Sequence, residues 1–245
     1  MSSPDPAGKP AREPILNLPP VVGALIGLMV AVHLAATLAL NEAGRDMMTV
    51  WLAFIPYRIE MPGVIPGGLL PLLWTPLTHA FLHAGWDHLL LNMAWLAIFG
   101  TPVARRYGTA GTLAIFGLSA VAGALLFALT TFGQVQVLVG ASGGIAGLTG
   151  AACRFMFEPV SVARNAETGE VVVLGRLTAG LKTLFRNRRA MGFAVVWVVL
   201  NAAVPLWGLV SGEGVAIAWQ AHIGGFLAGL FALPLIEKRV TRTGD

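Results

Sequence analysis

One serine, one histidine and a histidine–asparagine pair are the residues here whose types and spacing could do chemistry together. Ser142 stands in Gly140-Ala141-Ser142-Gly143-Gly144-Ile145-Ala146-Gly147, at the start of an apolar run that ends near Arg154. His222 stands in Ala221-His222-Ile223-Gly224-Gly225, with Gly229 one turn further on. His88 and Asn92 are four residues apart, so a helix puts them on one face. A serine hydroxyl is a poor nucleophile until a base takes its proton. A neutral imidazole does this near pH 7 and brings no charge to bury. Acyl transfer also needs donors aimed at the developing oxyanion. The Asn92 amide, a His88 ring nitrogen and the Ser142 backbone N–H could supply them. No acidic residue lies deep in the runs carrying Ser142 and His222, so the expectation is a Ser-His dyad without an acid.

The elements that must position these groups are apolar spans. The chain is 56% hydrophobic and 11% charged, with mean hydropathy +0.75, where a soluble domain carries about 25% charge. The expectation is an all-α polytopic membrane protein with six spans. They run over Val21–Leu40, Trp86–Ala104, Thr109–Phe132, the serine-bearing run, Met191–Leu209 and Val215–Ile236. Residues 1–19 and 238–245 read as polar tails, and residues 158–190 as an exposed basic loop. Between the first two spans, Asn41–Thr78 is too apolar for a free loop and too broken by Pro and Gly for a helix. It reads as a loop sunk in the interface and anchored by aromatics. Of 16 Lys and Arg, 14 fall on the side that holds both termini, and only Arg45 and Arg58 on the other. By the positive-inside bias both termini are cytoplasmic. Because the basic residues lie between apolar runs, the pI of about 9.8 points to lipid rather than nucleic acid. The first run has no small-residue cleavage site at its end, so it reads as a retained helix. The lone Cys153 rules out an intrachain disulfide and reads as an inert thiol.

Depth brings the polar residues together. Ser142 to Glu158 is 16 steps, about 24 Å at ~1.5 Å per residue, short of a ~30 Å hydrocarbon core. His222 to Lys238 is again 16 steps. Asn92 sits ~20 Å and His88 ~26 Å above Arg105. Three spans thus carry their polar groups at one depth, on the external half. Gly143-xxx-Gly147 and Gly225-xxx-Gly229 are small-xxx-small patterns that let helix backbones approach. Taken singly, each pattern and each polar residue is also consistent with ordinary helix packing.

This set resembles the rhomboid intramembrane serine proteases. The resemblance rests on Gly140-x-Ser142-Gly143, the series His79, His83, His88 and Asn92, and Ala221-His222 with Gly225 and Gly229, over about Trp74 to Leu233. It implies a six-helix bundle whose serine helix starts mid-membrane, open to the outside through a water-filled cavity. It implies Ser142 as nucleophile, His222 as general base, and Asn92, His88 and the Ser142 amide as the oxyanion hole. No cofactor or metal is implied. Substrates would be single-span membrane proteins cut in or near the membrane segment after a small residue, with the enzyme in the cell's inner membrane. Two departures stand out. Many members carry a Trp-Arg pair in the first external loop, whereas Trp74 is followed here by Thr75. Four residues after the serine the family often has an aromatic that stacks on the histidine, and here that position is Ala146.

Two other readings compete. An inactive rhomboid-like protein would bind membrane proteins without cutting them, but such relatives lack the serine or the histidine. His79 and His83, four apart, could ligate zinc, but no Glu lies between them as the zinc-protease pattern requires. The plainer role for this pair is hydrogen-bonding the first external loop to the bundle. Trp51, Trp86, Trp95, Trp197 and Trp207 read as interface or packing aromatics. Arg186, Arg188 and Arg189 read as a cytoplasmic charge anchor that could also contact anionic lipid.

Overall fold

A computed structural model describes residues 17–164, 169, 171–211 and 218–240. Expectations for residues 1–16 and 241–245, for the start of the last span at Val215 and for the Trp207 side chain lie outside the described residues. The chain is mostly helical. Helix α1 (Pro20–Ala39) starts on a proline, whose missing N–H costs nothing in a first turn. It runs for 20 apolar residues with mean hydropathy 2.3. A second apolar run extends over 45 residues, Trp86–Thr130. It comprises α5 (Trp86–Trp95), a wide π turn at Leu96–Gly100 and α6 (Thr101–Thr130). Gly108, at φ 64°, breaks the helical path within it. Among the described residues, these two runs are long and apolar enough to cross a membrane, and Trp219–Leu233 is a shorter apolar helix.

The segment Asn41–Thr78 holds more helix than its prolines suggest. Asn41 caps α2 (Glu42–Leu52) by accepting from the Gly44 N–H at 2.9 Å. Short turns follow as α3 (Tyr57–Glu60) and α4 (Thr75–Thr78). What organises the segment is Arg58, which is fully buried. Its guanidinium donates to the carbonyls of Val50 (2.5 Å), Pro66 (2.7 Å) and Gly68 (3.0 Å). The planar fork satisfies three carbonyls that no helix or sheet would pair. The aromatics add a second fastening. Trp51 stacks on Trp74, and the Trp74 indole N–H donates to the Trp51 carbonyl at 2.7 Å.

Helix α7 (Ser142–Met156) lies at the centre, against α6 and α10 (Trp219–Val240). Its far end is tied down by the buried Arg154, which donates to the carbonyls of Ala179 (2.7 Å) and Leu230 (2.9 Å). The described residues between 158 and 190 include regular structure. An antiparallel hairpin pairs β1 (Val160–Arg164) with β2 (Val171–Arg176), with a register shift between Ser161 and Val162. Arg106 reaches it, donating to the Arg176 carbonyl and to Thr178 Oγ1. The short α8 (Leu181–Arg186) then buries Leu184 and leads into α9 (Arg188–Ser211). The basic cluster Arg186, Arg188 and Arg189 falls at this junction.

Candidate active site

Ser142 is the first residue of α7. A helix start leaves its first N–H groups without intrahelical acceptors and places the positive end of the helix dipole there. The chain enters this turn through Gly140 at φ 115°, a conformation that side chains rarely adopt. Space demands glycine as well. A Cβ here would lie 2.7 Å from Cε1 and 2.8 Å from Nε2 of His88, and 3.8 Å from Ser142 Oγ. The missing side chain of Gly140 therefore leaves the space that the His88 ring occupies next to this turn. The entry strand is fixed from two sides. The Gly140 N–H donates to the His79 carbonyl at 3.0 Å, and Leu138 exchanges both backbone hydrogen bonds with Phe54 at 2.9 and 3.1 Å.

Helix α10 brings His222 to the serine because glycines remove every atom between the two backbones. A Cβ on Gly225 would lie 2.0 Å from the Gly143 carbonyl oxygen, and one on Gly229 would lie 1.9 Å from that of Gly147. Across the seam, a Cβ on Gly150 would meet the Phe226 carbonyl at 2.2 Å. The small-xxx-small patterns on the two helices thus face each other. At this approach His222 Nε2 lies 2.8 Å from Ser142 Oγ, within the reach a nucleophile and its base require.

The other expected residues divide. Asn92 is 5% exposed and lines the cavity that holds Ser142 and His222. One of its two amide protons goes to the His88 carbonyl at 2.8 Å. His79 is buried, and its Nδ1–H donates to the Thr75 carbonyl at 3.0 Å. It ties loop to bundle through its own backbone carbonyl rather than its ring. His83 departs from expectation. Its ring nitrogens are buried without a hydrogen-bond partner among the described residues, and its ring meets His88 edge-on at 5.3 Å. Burial lowers both His79 and His83 to about 4, so both rings are neutral at pH 7. Among the described residues no cluster of three His, Cys, Asp or Glu could hold a metal. Cys153 is buried and unpaired.

One residue was not anticipated. Asn201 of α9 presents Oδ1 to His222 Nδ1 at 2.7 Å. The sequence did carry a signal for it. Asn201 is the single non-aromatic polar side chain between Met191 and Leu209, and such residues in an apolar span mark function or pairing. The cavity beside the serine has a volume of about 190 Å³, with Trp95, Ala146, Thr149, Trp197 and Leu200 among its walls. In that wall, Trp197 stacks on Phe226 with centroids 4.5 Å apart. Four helices, α5, α7, α9 and α10, therefore line one cavity beside Ser142.

Known proteins share this constellation's frame. A family model described as the Rhomboid domain matches residues 71–239. RHOMBOID-like protein 6, mitochondrial, of Arabidopsis thaliana is 31% identical over 171 residues, covering 70% of this chain and 46% of that protein. RHOMBOID-like protein 5 of the same plant is 29% identical over 159 residues, or 64% of this chain and 42% of that one. Rhomboid protease GlpG of Yersinia pestis is 29% identical over 161 residues, again 64% of this chain and 46% of the other. The chain thus spans less than half the length of these relatives. The family match begins just before the His79 series, runs past His222 and takes in most of the chain, so the protein belongs to the rhomboid family.

Proposed function

We propose that this protein is an intramembrane serine endopeptidase that cuts single-span membrane proteins by a Ser142–His222 dyad. The observation that carries the reading is the 2.8 Å separation of His222 Nε2 and Ser142 Oγ. His222 Nε2 takes the hydroxyl proton as Oγ attacks the scissile carbonyl carbon. The carbonyl oxygen becomes an oxyanion, met by the Ser142 N–H, the free Asn92 Nδ2 proton and a His88 ring nitrogen. The C–N bond breaks when His222 returns its proton to the leaving amine, which leaves an acyl ester on Ser142. A water, deprotonated by the same imidazole, then releases the acid and restores the hydroxyl.

The substrate side follows from depth. Ser142 lies at the start of a 15-residue helix, about 22 Å long at ~1.5 Å per residue and shorter than a bilayer core. A peptide bond reaching it has entered the membrane. We place six spans in the lipid bilayer, both termini in the cytoplasm and the cavity open to the external side. The 14-to-2 distribution of basic residues motivates that orientation. A reporter fused after Asp245 is expected to read as cytoplasmic and one inserted near Gly63 as external. A C-terminal fusion active only outside the cell overturns the topology.

The test of the chemistry is covalent. Detergent-solubilised protein is expected to react with a fluorophosphonate at Ser142. Ser142→Ala abolishes labelling and cleavage of co-expressed single-span proteins, His222→Ala reduces both severely, and chelators change nothing. A folded wild-type protein that neither labels nor cleaves supports the binding-only reading instead. Activity lost to a chelator and restored by zinc supports a metal site.

A further inference from the structure

A general base needs more than proximity. Its accepting nitrogen must be bare, and a neutral imidazole carries one proton that either nitrogen can hold. In His222 the choice is settled from α9. The Asn201 amide is oriented by its own helix, because Nδ2 donates to the Trp197 carbonyl one turn back at 2.8 Å. That leaves Oδ1, an acceptor only, facing His222 Nδ1 at 2.7 Å. An acceptor opposite Nδ1 requires the ring proton to sit on Nδ1. Nε2 is then bare, and it is the nitrogen 2.8 Å from Ser142 Oγ.

We propose that Asn201 is a positioning residue that locks the His222 imidazole in its Nδ1-protonated tautomer and aims Nε2 at Ser142. The assignment rests on the protease reading above and adds a third member to the dyad. An amide suits the place. It accepts from Nδ1 before and after the ring takes the serine proton, and it puts no carboxylate among the apolar residues of α9, where a charge is expensive. It also does part of what the missing aromatic at Ala146 would do. Stacking fixes the plane of a ring but leaves its tautomer free, whereas this hydrogen bond fixes both. The acceptor and the base come from different helices, so the base is oriented only while α9 sits against α10.

The test separates this role from packing. Asn201→Leu keeps the size and removes the acceptor. It is expected to lower kcat about 10–10²-fold, inside the ~10²–10⁴ that a general base supplies, with KM and melting temperature little changed. Asn201→Asp keeps an acceptor at the same reach and is expected to restore most of the rate. Independently of activity, ¹⁵N-histidine NMR of the solubilised wild type should show the His222 ring protonated at Nδ1 and bare at Nε2, alongside the Nδ1-protonated ring of His79. His222→Gln assigns that signal among the five histidines. In Asn201→Leu the signal should move to a mixture of tautomers.

A wild-type His222 protonated at Nε2 overturns the proposal. So does an Asn201→Leu protein with wild-type kcat, or one whose loss is in KM and melting temperature alone. If Asn201→Leu fails to fold, the wild-type spectrum and Asn201→Asp still decide. A protein that shows the Nδ1 tautomer but never labels or cleaves removes the protease reading and leaves the positioning by Asn201 standing.

Discussion

The two sides of His222 are built in opposite ways. On one, α10 meets α7 backbone to backbone. Gly225 rests on the Gly143 carbonyl and Gly229 on that of Gly147, with no room for a methyl group. On the other, α9 touches the site through side chains alone. Asn201 hydrogen-bonds the ring and Trp197 stacks on Phe226, while Val195, Val196, Val199 and Leu200 of the same helix are each more than half exposed. The seam sets the distance between Ser142 and His222, and a backbone contact has no rotamer through which to adjust. The α9 side sets the direction of the imidazole and can come and go by rotating side chains. Distance is thus held by the stiff half of the site and orientation by the adjustable half.

The sharpest way to break this contrast is Gly225→Ala. The added Cβ would lie 2.0 Å from the Gly143 carbonyl oxygen, whereas ordinary contact begins at 3.4 Å. The helices must separate by more than an ångström beside Ser142. A misplacement of ~1 Å can cost ~10²-fold in rate, and overpacking costs ~1–3 kcal/mol or more where backbone is the obstacle. Cleavage and fluorophosphonate labelling should be lost together, with a clear fall in melting temperature. An active, stable Gly225→Ala protein would show that the seam yields.

The next effect asks whether a correctly spaced dyad is sufficient. Asn92 reaches the cavity from α5, outside both halves, and has one amide proton free of the His88 carbonyl. Asn92→Ala should lower kcat on the order of 10²–10³-fold, the cost of one oxyanion donor. Fluorophosphonate labelling should fall with it and the melting temperature should hold. Cleavage at the wild-type rate would make Asn92 a packing residue.

What could be read before the structure follows the same division. In an apolar chain Ser142, His222, His88 and Asn92 stand out because polar groups are costly within apolar runs, and step counts alone suggest that they meet. The glycine pairs were legible because only glycine lets backbones touch. The Arg58 cage was not legible. It serves the carbonyls of Val50, Pro66 and Gly68, and carbonyls leave no mark in a sequence. Counted as one of two basic residues apart from the other fourteen, Arg58 gave no sign that it is the post of its loop. The hairpin in residues 158–190 escaped for a related reason. Its strands are only five and six residues long, Val160 and Val162 alternating in the first and Val171–Val173 consecutive in the second, too short a pattern to tell from a basic loop. Asn201 was visible as an oddity but not as a partner, because nothing in the sequence gives the rotation of α9 relative to α10.

The smallest effect lies at Ala146, one turn after the serine. The sequence leaves one face of His222 without its usual aromatic, and two outcomes are possible. Either another side chain fills the place, or space remains. The structure puts Ala146 in the wall of the 190 Å³ cavity, buried in one cluster with Phe226 and close to Trp197, which lines the same cavity, and the ring is held by Asn201 instead. An added aromatic therefore has somewhere to go. Ala146→Phe should fold, with a stability change below ~1 kcal/mol, about 2–4 °C in melting temperature for a chain of this size. Its rate should stay within a few-fold of wild type, since the Nδ1 hydrogen bond is untouched. If the cavity were unable to accept the ring, overpacking would cost ~1–3 kcal/mol and α9 would be pushed off. The rate would then fall as it does in Asn201→Leu. The informative protein is the double variant Ala146→Phe with Asn201→Leu. If stacking and hydrogen bonding are two routes to one orientation, the phenyl ring should recover part of the rate that the leucine removes. A double variant no faster than Asn201→Leu alone would show that the tautomer, which stacking cannot set, is what α9 supplies.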